Sequence, residues 1–188
     1  EFLAEARAMA LFQDRRIVQI HELRDQADPP VLIMEYVEGF ELGRLAPSLE
    51  VSQRSRIMKE VCEAVQHAHD VGVQHRDLKP SNIMLDAELR PRLLDFGLSS
   101  GDPARGHFRG TPCYLAPEQL DASQPIDART DVFALAAIVY EMIAGKPAFQ
   151  GNSLAEVVFK VVYEPVPPLA TVVPGVPSSV SAAIERGM

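Results

Sequence analysis

The first forty residues show apolar positions first at helical spacing and then at strand spacing. Residues 1–12 combine helical spacing with many Ala, Leu, Glu and Arg residues, which predicts a helix. Strands are predicted over Ile17–Leu23 and Val31–Val37, separated by a turn that contains Pro29 and Pro30. A small strand-bearing part therefore opens the chain.

The pattern then becomes helical. A helix is predicted to begin at Ser52 as its N-cap, to end at His69 or Asp70, and to be followed by Gly72. Its buried stripe is expected to consist of five apolar residues: Ile57, Val61, Ala64, Val65 and Ala68.

Two short strands and a long loop are predicted next. The strands are expected near Ile83–Leu85 and Arg92–Leu94. Residues 95–118 contain many Gly and Pro residues and little periodicity, so they are predicted to form a loop. A loop of that length inside a compact domain usually serves function.

The last third is predicted to be mainly helical. Asp131–Ala144 is apolar almost all round and is followed by Gly145, which is typical of a helix at the centre of a core. The proline-rich tail Pro165–Pro177 is expected to be extended, and Ser178 or Ser179 to begin a last helix. Together these elements indicate an α+β fold.

Composition narrows the functional classes. The chain has 188 residues, of which 47% are hydrophobic and 23% charged, as in globular domains. A net charge of -8 argues against nucleic-acid binding. The two cysteines are too few for a disulfide framework, so a cytoplasmic location is expected. The chain starts without Met inside one helical pattern and stops inside another, which suggests a fragment. Any membrane attachment is then expected outside it.

The candidate chemistry is concentrated in the segment His75–Asn82, which reads HRDLKPSN. Asp77, Lys79 and Asn82 can converge in one loop. They would supply the carboxylate, the cation and the amide oxygen that phosphoryl transfer uses. Thirteen residues after Asn82, Asp95 opens the sequence Asp-Phe-Gly and offers a second carboxylate, which can bind Mg²⁺ that bridges phosphates.

A third block, Ala116-Pro117-Glu118, follows twenty-one residues after Asp95. The three blocks, in this order and spacing, resemble the catalytic loop, metal-binding loop and activation-segment end of protein kinases. The resemblance implies a two-lobed fold, with a small-lobe remnant at 1–37 and a truncated, mainly helical large lobe at 38–188. Residues 75–100 are most similar in style to bacterial members.

The resemblance also implies an activity and the roles of individual residues. Asp77 would be the catalytic base, Lys79 the cation that contacts phosphate, and Asn82 and Asp95 the Mg²⁺ ligands. The cofactors would be ATP and Mg²⁺, and the partner a protein with Ser or Thr hydroxyls, because a Lys two residues after the Asp is typical of the Ser/Thr class. Thr111 would hydrogen-bond near Asp77 and Lys79, or would be an ordinary turn threonine.

The segment Met34–Gly39 resembles the hinge that binds adenine. Backbone groups of Glu35 and Val37 would then meet the base, with Met34 as gatekeeper and Met84 beneath the ring. Core packing is an equally good explanation for both methionines. Glu41 would meet the ribose, or would be a solvated glutamate.

The part of a kinase that covers the phosphates is missing from the sequence. It contains neither a Gly-x-Gly-x-x-Gly segment nor the third-strand lysine that anchors ATP. Glu5 resembles the glutamate that pairs with this lysine, and a surface helix glutamate is the alternative. The parent protein is expected to be an active kinase and the fragment alone inactive. The competing hypothesis is a pseudokinase or scaffold module with a kinase fold.

Two further features of the sequence lead to expectations. His67 and His69 are two residues apart and share no helical face, so they are interpreted as ordinary helix-end residues. Arg76 is typical of kinases whose loop is ordered by a phosphate, yet residues 102–109 contain no Ser, Thr or Tyr. We therefore expect no activating phosphorylation there, with an early site at Ser99 or Ser100 as the alternative.

Overall fold

The computed structural model describes residues 13–24, 26, 27, 29, 31–96, 112–120 and 124–188. The helix predicted over residues 1–12 lies outside this part of the chain. Contacts divide the chain into two compact units, Glu1–Ser100 and Gly101–Met188. The first unit holds strands together with a long helix, so the lobe boundary expected at residue 37 stays a prediction. The α+β organisation itself is confirmed.

The first sheet is an antiparallel pair, β1 (Ile20–Arg24) and β2 (Val31–Met34), with Ile20 opposite Met34 and an irregularity before Glu22. The predicted strand Ile17–Leu23 therefore begins three residues too early. Ile17 instead forms an isolated parallel bridge to Leu93, in the second sheet. The predicted strand Val31–Val37 ends too late, because residues 35–38 have no ladder partner.

The second sheet has the order β3 (Phe40–Glu41), β4 (Ile83–Leu85) and β5 (Pro91–Leu93), all antiparallel. Strand β4 has the predicted bounds, and β5 begins one residue before the predicted Arg92–Leu94. Strand β3 was not predicted, because two residues carry no periodicity and extend only by pairing with β4. The sheet contributes Ile83, Leu85 and Leu93 to the core.

Helix α1 (Leu42–Leu45) leads through a 3₁₀ turn to α2 (Val51–Asp70). The N-cap predicted at Ser52 is wrong. Glu50 caps α2, since its side chain accepts the Gln53 backbone N–H while the Gln53 side chain accepts the Glu50 N–H. All five residues of the predicted stripe are buried, which confirms the face of α2 that meets the core.

The second unit is helical: α3 (Pro117–Leu120), α4 (Arg129–Ala144), α5 (Leu154–Tyr163), α6 (Leu169–Val172) and α7 (Ser178–Gly187). Helix α4 begins two residues before the predicted start and ends at Gly145, whose φ of 71° is the left-handed conformation that suits glycine. Helix α7 begins at Ser178 as predicted.

Two features of the second unit differ from the sequence-based expectation. Helix α5 was not predicted, although Ser153 caps it by accepting the Glu156 backbone N–H at 3.2 Å. The tail Pro165–Pro177 is not wholly extended, because α6 forms within it around the fully buried Leu169. None of the described helices is both long and apolar enough to cross a membrane.

Candidate active site

Three polar side chains of the loop before β4 lie within hydrogen-bonding distance of one another. The Lys79 Nζ donates to Asp77 Oδ2 at 2.5 Å. The Asn82 Nδ2 donates to the Asp77 backbone oxygen at 2.8 Å and to Asp77 Oδ2 at 3.1 Å. The structure therefore brings the predicted base, cation and amide into one cluster. The Asp77 and Lys79 side chains keep 26% and 20% exposure, so a substrate can reach them.

Buried rings and a tight turn hold this loop. His75 is fully buried, its ring lies 4.5 Å from the ring of Phe96, and its Nδ1 accepts the Asp77 backbone N–H at 3.3 Å. Arg76 has a φ of 65°, a left-handed conformation that costs a non-glycine residue of order 1–3 kcal/mol. Such strain persists only where the surroundings fix it, as the packed His75 does here.

Strand β5 delivers Asp95 next to this cluster. The Leu94 backbone N–H donates to the Asn82 carbonyl at 2.9 Å, which fixes the end of β5 beside the turn that carries Asn82. Asp95 follows directly, is exposed, and has a left-handed φ of 56°. Both predicted metal ligands therefore lie at one edge of the sheet, with the Asp95 carboxylate open to solvent.

The donor set at this edge fits a metal ion that is bound together with phosphate. Within the described ranges, no group of three or more His, Cys, Asp or Glu side chains could hold a metal by itself. Mg²⁺ commonly uses one or two protein oxygens and completes its shell with phosphate and water. Asn82 turns its Nδ2 toward Asp77, which leaves its amide oxygen as the atom for a metal, and Asp95 supplies a carboxylate.

The predicted hinge follows β2 as an irregular segment, residues 35–38, that pairs with neither sheet. The Glu35 backbone N–H donates to the Gln19 carbonyl at 2.9 Å, so the Glu35 group that remains for a ligand is its carbonyl. The Glu35 carboxylate accepts a hydrogen bond from the Arg92 guanidinium of β5. Partial burial acts to raise the pKa of Glu35, but the Arg92 hydrogen bond and charge hold it below its ordinary value. Val37, two residues on, is half-buried.

The remaining residues predicted to contact the nucleotide lie on three strands: Met34 ends β2, Glu41 ends β3 and Met84 is on β4. Glu41 is exposed and pairs with Met84 across β3 and β4. Met34 and Met84 are both half-buried, which suits core packing and ligand contact equally. Gly39 is required by space, because a Cβ there would lie 2.1 Å from the Leu85 carbonyl oxygen.

Comparison with known proteins decides the family. The sequence model described as "Protein kinase domain" matches residues 1–175. The chain belongs to the protein kinase family. Its mixed fold, with small sheets followed by a mainly helical part, is that of a partial kinase domain.

Several named serine/threonine-protein kinases are similar to this kinase chain. The DNA damage-responsive serine/threonine-protein kinase RqkA of Deinococcus radiodurans is 34% identical over 97% of it. Serine/threonine-protein kinase Pkn1 of Myxococcus xanthus is 34% identical over 100% of it, and PknB of Mycobacterium tuberculosis is 32% identical over 90%. The chain spans 28–29% of the length of these three relatives.

Two predicted kinase residues lie outside the described part of the chain. Glu5, the expected partner of the ATP-anchoring lysine, is in the segment 1–12, and Thr111 is in the segment 97–111. Their roles stay predictions.

The third kinase block lies in the second unit. Ala116 is fully buried, and its backbone N–H donates to the Gln119 Oε1 at 3.0 Å. The Glu118 Oε1 accepts the Thr130 hydroxyl at 2.8 Å, which ties α3 to the first turn of α4. Thr130 therefore satisfies part of the hydrogen-bonding capacity of the Glu118 carboxylate within the second unit.

The residues just before this block are also held by α4. The Tyr114 hydroxyl donates to the Glu141 carboxylate. Burial raises the pKa of Tyr114 and raises that of the neighbouring Cys113 thiol to about 11. Cys113 is thus protonated at neutral pH and serves packing, as expected for a buried thiol.

Two side-chain contacts in the first unit are not predictable from local spacing, because the partners are distant in sequence. Arg92 is 57 residues from Glu35. The one local signal for its role is that Arg92 is a charged residue between two apolar residues of β5. His67, which the sequence predicts to be an ordinary helix-end residue, places its Nδ1 2.9 Å from the Asp14 Oδ2, 53 residues away.

Proposed function

We propose that the full-length protein is a serine/threonine kinase, which transfers the γ-phosphoryl group of Mg²⁺-ATP to Ser or Thr hydroxyls of a protein. The observation that carries the proposal is the cluster of Asp77, Lys79 and Asn82, with Asp95 fixed beside it through the Leu94–Asn82 hydrogen bond. Family membership and the names of the relatives support the same reaction.

Asp77 is proposed to accept the proton of the attacking hydroxyl. Its backbone oxygen and Oδ2 both accept from Asn82, which fixes the carboxylate in place before substrate arrives. Lys79 brings positive charge to within 2.5 Å of this carboxylate and stands where the transferred phosphoryl would collect negative charge. Positioning and electrostatics of this kind supply most of the rate in phosphoryl transfer.

Asn82 and Asp95 are proposed to hold Mg²⁺, which when bound neutralises phosphate charge and orients the γ-phosphoryl. The adenine is proposed to bind at the Glu35 carbonyl and the Val37 backbone, with Met34, Met84 and Glu41 around it. Glu5 and Thr111 are proposed to complete the site.

The proposed partner is a protein substrate in the cytoplasm. Both cysteines are free thiols, which suits a reducing compartment. The acidic net charge of -8 gives no support to nucleic-acid binding. Membrane attachment, if the full-length protein has any, is proposed to use segments outside this chain.

The proposal is tested with Asp77→Asn in the full-length protein. Asn cannot accept the proton, so kcat for a Ser/Thr peptide should fall by at least about a hundredfold, the low end for a lost general base. Binding of Mg²⁺-ADP, followed by calorimetry, should survive, because Asp77 is not among the proposed metal ligands.

Asp95→Ala is the matched comparison, since it removes a carboxylate from the same site. It should abolish the Mg²⁺ dependence of nucleotide binding while Asp77 stays in place. Phosphate transfer by Asp77→Asn at the wild-type rate would refute the assignment of the base. A wild-type protein that binds nucleotide but transfers no phosphate would support the pseudokinase alternative.

A further inference from the structure

The Glu35–Arg92 pair joins the hinge to the strand that carries the metal ligand. Arg92 lies on β5, three residues before Asp95, and Glu35 is the first hinge residue after β2. The Arg92 guanidinium donates to Glu35 Oε2, and the two side chains are only 20% and 33% exposed. An ion pair shielded to this degree is stronger than a fully solvated surface pair.

The surrounding backbone restrains the same junction. The Gln19 N–H lies 3.4 Å from the Glu35 Oε2, and the Glu35 N–H donates to the Gln19 carbonyl at 2.9 Å. On the other side, the Leu93 N–H donates to the Arg16 carbonyl at 2.7 Å, and Leu93 accepts the Val18 N–H at 2.9 Å. Glu35 and β5 are therefore both tied to the segment before β1, and the ion pair closes this loop of contacts.

After Glu35, the hinge runs outside the sheets. Residues 35–38 form no strand ladder, and the Tyr36 side chain is 88% exposed. Glu35 offers its carbonyl in the proposed adenine site. Its side chain is bonded to Arg92 and its N–H to Gln19, and together these bonds restrain the direction of that carbonyl. A pre-set carbonyl avoids an ordering cost when nucleotide binds.

We infer that Glu35 and Arg92 form a positioning pair that fixes the hinge for nucleotide binding and acts on nucleotide affinity rather than on phosphoryl transfer. The inference rests on the proposed kinase function and deepens it. Neither side chain is assigned a contact with ATP. Arg92 acts through Glu35, and Glu35 acts through its own backbone carbonyl.

The test uses Arg92→Gln and Glu35→Gln in the full-length protein. Each variant should raise KM for ATP and the Kd for ADP by about 3–10-fold, with kcat within about twofold of wild type, because only the cost of ordering the hinge changes. The double variant should be no worse than the more affected single variant, since both changes remove the same interaction.

Arg90→Gln is the matched control. Arg90 lies two residues before Arg92 and also forms ion pairs, with Asp86 at 2.8 Å and Glu88 at 2.7 Å, but its own side chain is 58% exposed and neither partner is a predicted nucleotide contact. This variant should leave KM and kcat unchanged. Kd and KM report only on the folded molecules, so they can still be compared with wild type when a variant folds incompletely.

The outcomes separate the inference from the proposed function. If wild type transfers phosphate and both variants keep its KM and Kd, the inference is wrong and the kinase function stands. A rise in kcat at unchanged KM overturns it too, since the pair would then restrain turnover. Additive effects in the double variant would show that the two side chains act separately. If wild type neither binds ADP nor transfers phosphate, the proposed function fails first.

Discussion

Asp14 is a buried carboxylate at the centre of a charge network, and its removal should loosen the segment before β1. Its side chain is only 5% exposed. Asp14 accepts hydrogen bonds from the Arg16 backbone N–H at 2.8 Å and from the Arg16 guanidinium at 3.0 and 2.8 Å. Its Oδ2 also lies 2.9 Å from the His67 Nδ1 on α2, and Arg16 reaches Glu63 on α2 at 2.8 Å. The network therefore fastens residues 13–18 to α2.

The size of the effect follows from what Asp14→Asn leaves behind. Breaking a fully buried ion pair by removing one partner costs about 3–5 kcal/mol. Arg16 is 20% exposed and keeps Glu63, so we expect a smaller loss of about 2 kcal/mol. An amide also leaves an acceptor oxygen in place, which argues for the lower figure.

The pH dependence has a definite sign. The hydrogen bonds and charge of Arg16 hold the pKa of Asp14 well below its ordinary value of 3.8. A carboxyl with a depressed pKa contributes stability above its ordinary pKa and loses it as the pH falls through the folded value. The difference between wild type and Asp14→Asn should therefore shrink as the pH falls below about 4.

Hydrogen exchange measured by mass spectrometry on the full-length protein gives the local effect. Peptides that cover residues 13–18 and the second half of α2 should lose protection by about 30-fold at neutral pH, which corresponds to about 2 kcal/mol. Thermal unfolding of both proteins, measured at several pH values, tests the predicted pH dependence of the stability difference. Glu22→Gln, which removes an exposed ion pair with Arg24, is the control and should change neither quantity. Unchanged protection in Asp14→Asn, or a difference that grows as the pH falls below about 4, would refute the reasoning.

Two further predictions concern the hinge and the activation loop. Gly39→Ala should destabilise the hinge region by about 1–3 kcal/mol and raise KM for ATP, since a Cβ would meet the Leu85 carbonyl oxygen at 2.1 Å. Gly43→Ala is the control, because the nearest atom to a Cβ there is 3.4 Å away. Equal melting temperatures for the two variants would contradict the prediction for Gly39. Phosphatase treatment, confirmed by mass spectrometry, should leave peptide phosphorylation by the active protein intact, because residues 102–109 contain no hydroxyl side chain. A loss of activity restored by phosphate on Ser99, Ser100 or Thr111 would show the opposite.

The sequence predicted the elements whose pattern is complete within themselves. The stripe on α2 was found because five apolar residues recur at helical spacing, and each of them is buried. The start of α2 was misplaced because Ser is the commoner N-cap residue, whereas Glu50 caps through a reciprocal bond with Gln53. The sequence signal for this N-cap is Gln53, three residues after the acidic Glu50. Strand β3 gave no signal, since its two residues are extended only by pairing with β4.

The same distinction applies to the candidate site. Asp77, Lys79 and Asn82 lie within six residues, so one loop can bring them together and a local motif reveals them. Asp95 was found from its own tripeptide. The Glu35–Arg92 and Asp14–His67 contacts join residues more than fifty positions apart, and no local spacing announces them.

These long-range pairs answer a question that the motifs leave open, which is how the segment before β1 is held to the rest of the first unit. Backbone hydrogen bonds between this segment and Leu93 can form with almost any residue types. The side-chain pairs cannot, because they need an acid at 14 and 35, a histidine at 67 and a base at 92. A kinase could therefore keep the whole of His75–Asn82 and still differ in how firmly its hinge and this segment are held. Residue types at these four positions are the variables to compare when nucleotide affinity differs between kinases that share the motif.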